Sequence, residues 1–292
     1  MKYAYILKES SCHSISRLCR VLGVSEQGYY QWRRRPVSKR EERDMLLLSR
    51  IRSIHAESRQ SYGRIRIERE LRESGIRTSQ KRVARLMNQA SLRAKAARKF
   101  RITTRSAPNR VAAPNLLQRN FQAQAPNQVW VGDITYLWTK EGWMYLSVFL
   151  DLYSRSVVGW ALSRSLTTDA VLLSLQKAIA RRNPKPGLIV HTDRGVQYTA
   201  KALVGELKNI GARQSMSRRG DCWDNAVAES FFHSLKVEAI YGNTFETRRK
   251  IEYEVFDYIE RFYNRKRRHS AVGYLAPLEF ESKQKAIRIS AA

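Results

Sequence analysis

The sequence has few cysteines, and they form no recognisable pattern. Only Cys12, Cys19 and Cys222 occur in 292 residues. Their spacing fits no zinc-binding pattern, and an odd number argues against a disulfide framework. We therefore expect neither structural zinc nor a disulfide-stapled secreted fold, and a reducing cytosol fits this cysteine usage.

Long apolar runs are also lacking. No stretch of about 18 apolar residues is present, so the sequence predicts no membrane-spanning helix. Residues 1–6 lack the apolar core of a signal peptide. No heptad pattern continues for three or more repeats, so no coiled coil is predicted. These absences predict a cytoplasmic protein without a membrane partner.

Acidic residues are scarce relative to basic ones. The chain has 54 Lys/Arg against 26 Asp/Glu, a net charge of +28. Residues 1–125 contain 29 basic and 9 acidic residues, whereas residues 126–292 contain 25 and 17. Such an excess indicates a polyanionic partner, most simply nucleic acid. Residues 1–125 are therefore expected to bind DNA. Solubility alone is the weaker explanation of their positive charge, because the basic residues follow helical patterns.

Residues 1–36 are predicted to form a helix-turn-helix. Apolar residues recur with a helical period over residues 14–22, where Gly23 can end the helix and Ser25 can cap the next one. The second helix, over about residues 26–34, leads into three candidate DNA contacts: Arg33, Arg34 and Arg35. Two helices around a glycine-containing turn are typical of a DNA reader. An ordinary helical hairpin is the alternative.

Residues 37–92 are predicted to be a second small helical unit that binds DNA. A charged helix over residues 37–60 is followed by a helix over 65–71 and by another that Ser79 can cap. The last helix carries three candidate phosphate contacts: Lys81, Arg82 and Arg85. Phosphate contacts add affinity without sequence choice. A purely structural unit is the alternative.

Residues 93–127 form a basic linker punctuated by prolines. Its candidate DNA contacts are Arg98, Lys99 and Arg101. The segment fits two interpretations equally well, a strand of chain along DNA or a solvated tether.

From residue 128 onward the sequence predicts an α/β domain that ends at residue 292. Strands are expected at residues 128–138, 143–151, 155–162, 188–192 and 213–216, and helices at 168–182, 200–210, around Glu229 and at 247–264. Three closely spaced strands indicate an antiparallel meander. The complete order is that of a ribonuclease H-like mixed sheet, with the first strand central and the fourth beside it.

Three carboxylates stand out in this domain. Asp133 lies within an apolar strand, Asp193 closes another strand, and Glu229 lies on a predicted helix. An ionised Asp in an apolar strand is costly unless it is paired or binds a metal. Mg²⁺ prefers oxygen ligands, and two ions roughly 3.5–4 Å apart can clamp the attacking and leaving oxygens of a phosphoryl transfer. The three side chains are therefore candidate catalytic and metal-binding residues.

Other polar residues near this triad have two interpretations. Lys236 follows Glu229 by seven residues, which returns it to the same helical face, where it could hold a DNA phosphate. His191, His233 and Asn225 could orient a carboxylate or contact DNA, although a structural histidine is the simpler interpretation. Structural roles are expected for four further acids: Asp151, Asp169, Asp221 and Asp224.

Several stretches together resemble a known family. They are residues 130–136, 191–198, 217–229 and 263–269, with 35 residues between Asp193 and Glu229. The chain resembles the integrase-type catalytic core of insertion-sequence transposases and retroviral integrases. It is most similar to second-reading-frame (OrfB) transposases of the insertion-sequence-three family, over nearly its whole length. The family's two aspartates and its glutamate correspond to Asp133, Asp193 and Glu229, and its following basic residue to Lys236.

The resemblance implies a DNA transposase that is a polynucleotidyl transferase. It would cleave DNA at the ends of an insertion sequence in a metal-dependent reaction and join the released 3′-hydroxyl to target DNA. Mg²⁺ is the expected cofactor, with two ions per site, and Mn²⁺ could substitute. Because two ends must be joined in one complex, we expect a homo-oligomer on DNA.

One departure keeps other functions open. Full transposases of this family are usually fusions with a first-frame protein that carries a coiled coil, which this chain lacks. The first-frame protein or the fusion is thus a further expected partner. The alternative function is a non-catalytic DNA-binding accessory or regulator of the frameshifted transposase. A hydrolytic nuclease of the same fold is a third possibility, although the large basic N-terminal region argues against it.

Overall fold

A computed structural model describes residues 1–36, 38–95, 113–118, 120–218 and 225–290. The chain divides into two compact units, residues 1–52 and 53–292. The predicted boundaries after residues 36, 92 and 127 remain predictions. Within these described ranges, the structure contains no helix with the length and apolarity needed to span a membrane.

The first unit is helical. Its helices are α1 (Lys2–Glu9), α2 (Ile15–Leu22), α3 (Glu26–Arg34) and the beginning of α4 (Lys39–Glu57). Gly23 ends α2 in the left-handed region at φ 63°, and the Ser25 hydroxyl accepts the backbone N–H of Gly28 to cap α3. A small core holds the first three helices together, made of Ile6, Leu18, Cys19 and Tyr29. The two predicted helices and their caps are present, whereas α1 was not predicted.

The second unit begins with two short helices, α5 (Arg64–Glu73) and α6 (Gln80–Gln89). The Ser79 side chain accepts the backbone N–H of Arg82, as expected for an N-cap. Apolar residues of both helices are buried, among them Ile67, Leu71 and Val83.

A five-stranded mixed sheet forms the centre of this unit. The strands are β1 (Val129–Thr139), β2 (Gly142–Asp151), β3 (Val157–Ser163), β4 (Ile189–Thr192) and β5 (Arg213–Met216), in the order β3-β2-β1-β4-β5. Strands β1 to β3 pair antiparallel, whereas β4 and β5 are parallel to β1. The predicted ribonuclease H-like sheet is confirmed, with the first strand central and the fourth beside it.

Helices cover the sheet and complete the unit. They are α7 (Thr168–Arg182), α8 (Lys201–Asn209), α9 (Ala226–Leu235), α10 (Arg248–Phe256) and α11 (Pro277–Ser290). The segments Lys236–Ile240 and Asp257–Tyr263 continue α9 and α10 as π-helices. A buried apolar cluster joins the sheet to α7 and α8. Within it, a Cβ on Gly132 would lie 2.5 Å from the Phe149 ring, so this strand position needs glycine.

The C-terminal part of the chain is anchored by two buried arginines. Arg267 donates to both carboxylate oxygens of Glu238 at 2.7–3.0 Å and to the Ser234 hydroxyl. Arg268 pairs with Glu70 and Glu73 of α5 and donates to the carbonyl oxygen of Tyr274. These contacts connect the end of the chain to the helix that carries Glu229 and to α5.

Candidate functional site

The sheet brings Asp133 and Asp193 together. Strands β1 and β4 pair in parallel, with Val131 opposite His191. Asp133 lies two residues beyond Val131 within β1, and Asp193 directly follows Thr192, the last residue of β4. The negative charge of Asp193 acts on Asp133, so two carboxylates that are distant in sequence lie near each other where this strand pairing ends.

The Asp133 carboxyl group is held in an electrostatically costly environment. Its Oδ1 accepts the backbone N–H of Ile134 at 2.8 Å. Burial raises the pKa of Asp133 well above its ordinary value, and the negative charges of Asp193 and Glu229 raise it further. Asp133 therefore experiences the charges of both other predicted acids, and a cation beside it would relieve this repulsion.

Asp193 is fixed by the turn that follows β4. Its Oδ1 accepts the backbone N–H of Gly195 at 2.9 Å. A Cβ on Gly195 would lie 2.9 Å from the same oxygen, which explains why this turn carries a glycine. Burial raises the pKa of Asp193 above its ordinary value.

Glu229 approaches from α9, which packs against β1. Its side chain is exposed, and partial burial of the carboxyl raises its pKa. In the part of the chain that the structure describes, no three His, Cys, Asp or Glu side chains lie close enough together to hold a metal ion. The charges of Asp193 and Glu229 thus act on Asp133, but the three acids do not form a ligand sphere, and their metal-binding role stays a prediction.

Lys236 lies between the carboxylates and an exposed aromatic ring. Its Nζ is 5.2 Å from the centre of the Tyr136 ring. Burial lowers the pKa of Lys236, and the charge of Asp133 opposes this shift. Lys236 is thus a cation near Asp133, whereas its predicted place on the helical face of Glu229 stays a prediction.

Tyr198 is a neighbour of the triad that the sequence reasoning missed. The side chain is fully buried, and burial raises its pKa well above the ordinary value. The charges of Asp133 and Asp193 contribute to this shift, so the phenol lies near both. Its place at the end of the family-like stretch 191–198 was the available signal.

The remaining polar residues have different environments. His191 is buried, and its ring nitrogens lie 2.8 Å and 3.2 Å from the hydroxyls of Ser215 and Ser217, which supports the structural interpretation. His233 is exposed on α9. Asn225 is buried immediately before α9, and its Oδ1 has no hydrogen-bond partner among the described residues.

The expected structural acids can be followed in two cases. Asp151 is fully buried, accepts the backbone N–H groups of Asn127 and Tyr153, and pairs with Arg182. Asp169 lies in the first turn of α7, where a negative charge is favourable. Asp221 and Asp224 lie outside the described residues.

The predicted DNA contacts are surface residues where they are described. The side chains of Arg33, Arg34 and Arg35 are exposed at the end of α3. On α6, Lys81 and Arg85 are exposed and Arg82 is half-buried. Arg98, Lys99 and Arg101 lie outside the described residues. DNA binding by all of these residues stays a prediction.

The donor set suits a hard divalent cation. The three side chains offer only carboxylate oxygens, the ligands that Mg²⁺ and Mn²⁺ prefer over nitrogen or sulfur. Asp133 also carries the like-charge repulsion that such an ion would offset. The chemistry of the residues fits the ion, although closure of Glu229 onto the aspartates is required.

Protein-family models match most of the chain. The model described as "Integrase core domain" matches residues 123–222, and a second model with the same description matches residues 229–284. A model described as "HTH-like domain" matches residues 41–100. This last match overlaps the second predicted helical unit rather than residues 1–36.

Two known sequences are similar over nearly the full length of this chain. "Transposase InsF for insertion sequence IS3A" of Escherichia coli (strain K12) is 45% identical over 288 residues, 98% of this chain and 100% of that protein. "Insertion element IS600 uncharacterized 31 kDa protein" of Shigella sonnei is 42% identical over 266 residues, 91% of this chain and 98% of that protein.

A solved structure is similar at lower identity. The catalytic core domain of HTLV-2 integrase in complex with magnesium (dimeric form) superposes with a TM-score of 0.41 and 15% identity. The match covers 55% of this chain and 99% of that chain.

Proposed function

The chain belongs to the IS3 family of insertion-sequence transposases, and from this premise we propose that it cleaves DNA at insertion-sequence ends and transfers the 3′-hydroxyl to target DNA. The observation that carries this proposal is the proximity of Asp133, within β1, to Asp193, which directly follows the neighbouring parallel strand β4, with Glu229 close enough to raise the pKa of Asp133. Family membership supports DNA transposition in general.

In the proposed site, Asp133, Asp193 and Glu229 would hold Mg²⁺, with two ions per site and Mn²⁺ as a substitute. When bound, the ions stabilise charge on the attacking and leaving oxygens of a phosphodiester. The carboxylates must be ionised to hold a cation, so the raised pKa values of the metal-free site fall when it is occupied. Lys236 would neutralise a DNA phosphate beside Asp133.

The proposed reaction has two displacements at phosphorus. Water first attacks the phosphodiester at the element end, and the bond to the 3′-oxygen breaks to leave a 3′-hydroxyl. That hydroxyl then attacks a target phosphodiester and displaces another 3′-oxygen, so each step exchanges one P–O bond for another. No protein side chain needs to form a covalent bond to DNA.

The proposed partners follow from this chemistry. Element ends and target DNA must meet in one complex, so we propose a homo-oligomer on DNA. The arginines of α3 and the basic residues of α6 are proposed to contact phosphates. A first-frame protein or fusion is a further proposed partner, because end recognition could reside there. We propose a cytoplasmic, nucleoid-associated location.

The decisive experiment compares the wild type with Glu229→Gln. We expect purified wild-type protein to join labelled element ends to target DNA with Mg²⁺ or Mn²⁺, and the substitution to lower joining by at least about 100-fold, since it removes a ligand charge and keeps the size. Chelation of the divalent ion should abolish joining in the wild type. The control is Glu252→Gln, which changes an exposed carboxylate on α10.

The outcomes separate the candidate functions. If the wild type nicks DNA without joining it, a hydrolytic nuclease is favoured. If it binds DNA and neither nicks nor joins, the same comparison must be made in the fusion with the first-frame segment. An inactive fusion would leave the non-catalytic regulator as the function. Full joining by Glu229→Gln would remove Glu229 from the proposed site.

A further inference from the structure

The β1–β2 hairpin carries three exposed aromatic rings. Tyr136, Trp138 and Trp143 have exposed fractions of 42%, 55% and 44%. The ring of Trp143 lies edge-on to both others, at centroid distances of 5.3 Å from Tyr136 and 4.8 Å from Trp138. A contiguous exposed group of large rings marks a binding surface more often than isolated ones do. We call these three residues the hairpin aromatic patch.

The patch is held rigidly. Trp138 pairs directly with Trp143 across the two strands. The turn between them is tied to the segment before α10, because Lys140 donates its backbone N–H to the carbonyl oxygen of Phe245 at 2.9 Å and pairs with Glu246 at 2.8 Å. Glu141 accepts the backbone N–H of Arg248 at 2.8 Å. A fixed surface loses little entropy when a ligand binds.

Cations border the patch, and it continues into the carboxylate site. At one end, the Lys236 ammonium group lies over Tyr136 and near Asp133. At the other end, the Arg248 Nη2 lies 3.1 Å from the position that a Cβ on Gly142 would occupy. The nearby carboxylates of Glu141 and Glu246 are engaged in the contacts of the turn. Flat rings between two positive charges suit a ligand with aromatic bases and a phosphate backbone.

We propose that the hairpin aromatic patch binds unpaired bases of a DNA strand by stacking, next to the carboxylate site. This inference rests on the proposed function and names the form of DNA that the site takes. Tyr136 and Trp138 follow Asp133 by three and five residues on β1, and strand alternation turns their side chains to the other face from Asp133. Lys236, whose ammonium group lies over the Tyr136 ring and near Asp133, connects the patch to the carboxylate site. At about 3.3 Å per residue Tyr136 and Trp138 lie roughly 10–17 Å from Asp133, or about three to five nucleotides at 3.4 Å each. The patch thus receives bases near the reacting phosphate.

Binding without divalent ions tests this proposal separately from catalysis. Two labelled probes are used, a fully paired duplex and the same duplex with a short unpaired run at one end, and affinities are measured by fluorescence anisotropy with the full chain in a chelating buffer. We expect Trp138→Ala combined with Trp143→Ala to weaken binding of the unpaired probe by about tenfold and that of the duplex by less than about twofold. The corresponding Phe substitutions should restore most of the affinity.

The matched control is Tyr253→Ala, which removes an exposed ring (61%) from α10 of the same unit and should leave both affinities unchanged. Circular dichroism and thermal melting verify that each variant is folded. Equal losses on both probes, or no loss, would overturn the proposal. It would also be overturned if the double variant changed the oligomeric state in sedimentation, because a second copy would then cover the patch.

The result also separates this inference from the proposed function. If the wild type joins DNA ends but does not distinguish the two probes, only the stacking inference fails. If the wild type binds neither probe, both fail. If Glu229→Gln loses joining and keeps the preference for the unpaired probe, both are supported.

Discussion

At the scale of single residues, the turn at Gly195 leaves no room for a side chain beside the Asp193 carboxylate. A methyl group there would lie 2.9 Å from Asp193 Oδ1 and 3.2 Å from Gln197 Oε1. We expect Gly195→Ala to displace the Asp193 carboxylate and to lower strand transfer by about tenfold or more, because small misplacements of reacting groups are costly. Joined product from labelled ends measures the effect.

Gly205 offers the matched control for this prediction. It lies within α8, and an added Cβ would meet nothing within 4 Å. Gly205→Ala should leave strand transfer unchanged and raise the free energy of unfolding by up to about 1 kcal/mol, since alanine favours helix. Equal activity of the two variants would show that the Gly195 turn does not position Asp193.

Sequence reasoning predicted the acidic triad as the catalytic site, which stays a prediction, and it did not anticipate the burial of Tyr198, Arg267 and Arg268. Asp133 was recognisable because a charge in an apolar strand requires an explanation. Tyr198 was not, because a tyrosine in a turn gives no sign of its burial beside two carboxylates. The burial of Arg267 and Arg268 was missed because arginines in a basic run are expected at the surface. Only the fold shows that they pair with Glu238, Glu70 and Glu73.

At the scale of elements, the segment after the second π-helix carries a pH-sensitive histidine. His269 is packed against the Tyr263 ring, and its Nε2 lies 3.0 Å from Arg267 Nη1. Burial lowers the pKa of His269 well below 6.5, and the charges of Arg267, Arg66 and Arg155 lower it further. The folded state therefore binds fewer protons here than the unfolded state does. The contribution of His269 to the free energy of unfolding is fully present above about pH 6.5 and is lost as the pH falls below that value.

We expect the free energy of unfolding to fall by about 2 kcal/mol between pH 7 and pH 5 through this histidine. His269→Gln keeps a hydrogen-bond acceptor for Arg267 and removes the titration, so its stability should depend less steeply on pH. Urea unfolding of both proteins over this range measures the difference. Parallel pH profiles would mean that His269 does not titrate between the two states.

The types of the helices and strands were predictable from periodicity, whereas the π-helical segment that continues α10 was not. Helix α7 and strand β5 match the expected residues, and the apolar spacing of α7 is clear. The predicted helix over residues 247–264 is present, but it becomes π-helical from Asp257 onward. A π-helix has no distinct sequence period, and α1 and α11 carry too few apolar residues in register to stand out.

At the scale of the whole second unit, Arg268 connects its first and last parts. The side chain is 6% exposed and pairs with Glu70 and Glu73, which are partly exposed. We expect Arg268→Met to lower the free energy of unfolding by about 2 kcal/mol, less than for a fully buried pair because water screens the two carboxylates. Chemical denaturation followed by circular dichroism measures this loss.

Arg261→Met is the control, because Arg261 is 64% exposed in its pair with Asp257. It should change the stability by less than about 0.5 kcal/mol. If both variants lowered the free energy of unfolding by the same amount, the burial of Arg268 would not strengthen the contact between α5 and the C-terminal segment.

The parallel pairing of β1 with β4 gives the site two carboxylates in fixed positions, Asp133 and Asp193, and leaves Glu229 as the one that can adjust. Asp133 is positioned by its strand, and Asp193 by the turn that directly follows β4, where the Gly195 N–H donates to its carboxylate. Glu229 is exposed on α9 and has one more side-chain torsion than an aspartate, so it supplies the adjustment. Movement of the Glu229 side chain alone would then accommodate ions of different radius. It would also accommodate the change in phosphate position between cleavage and joining.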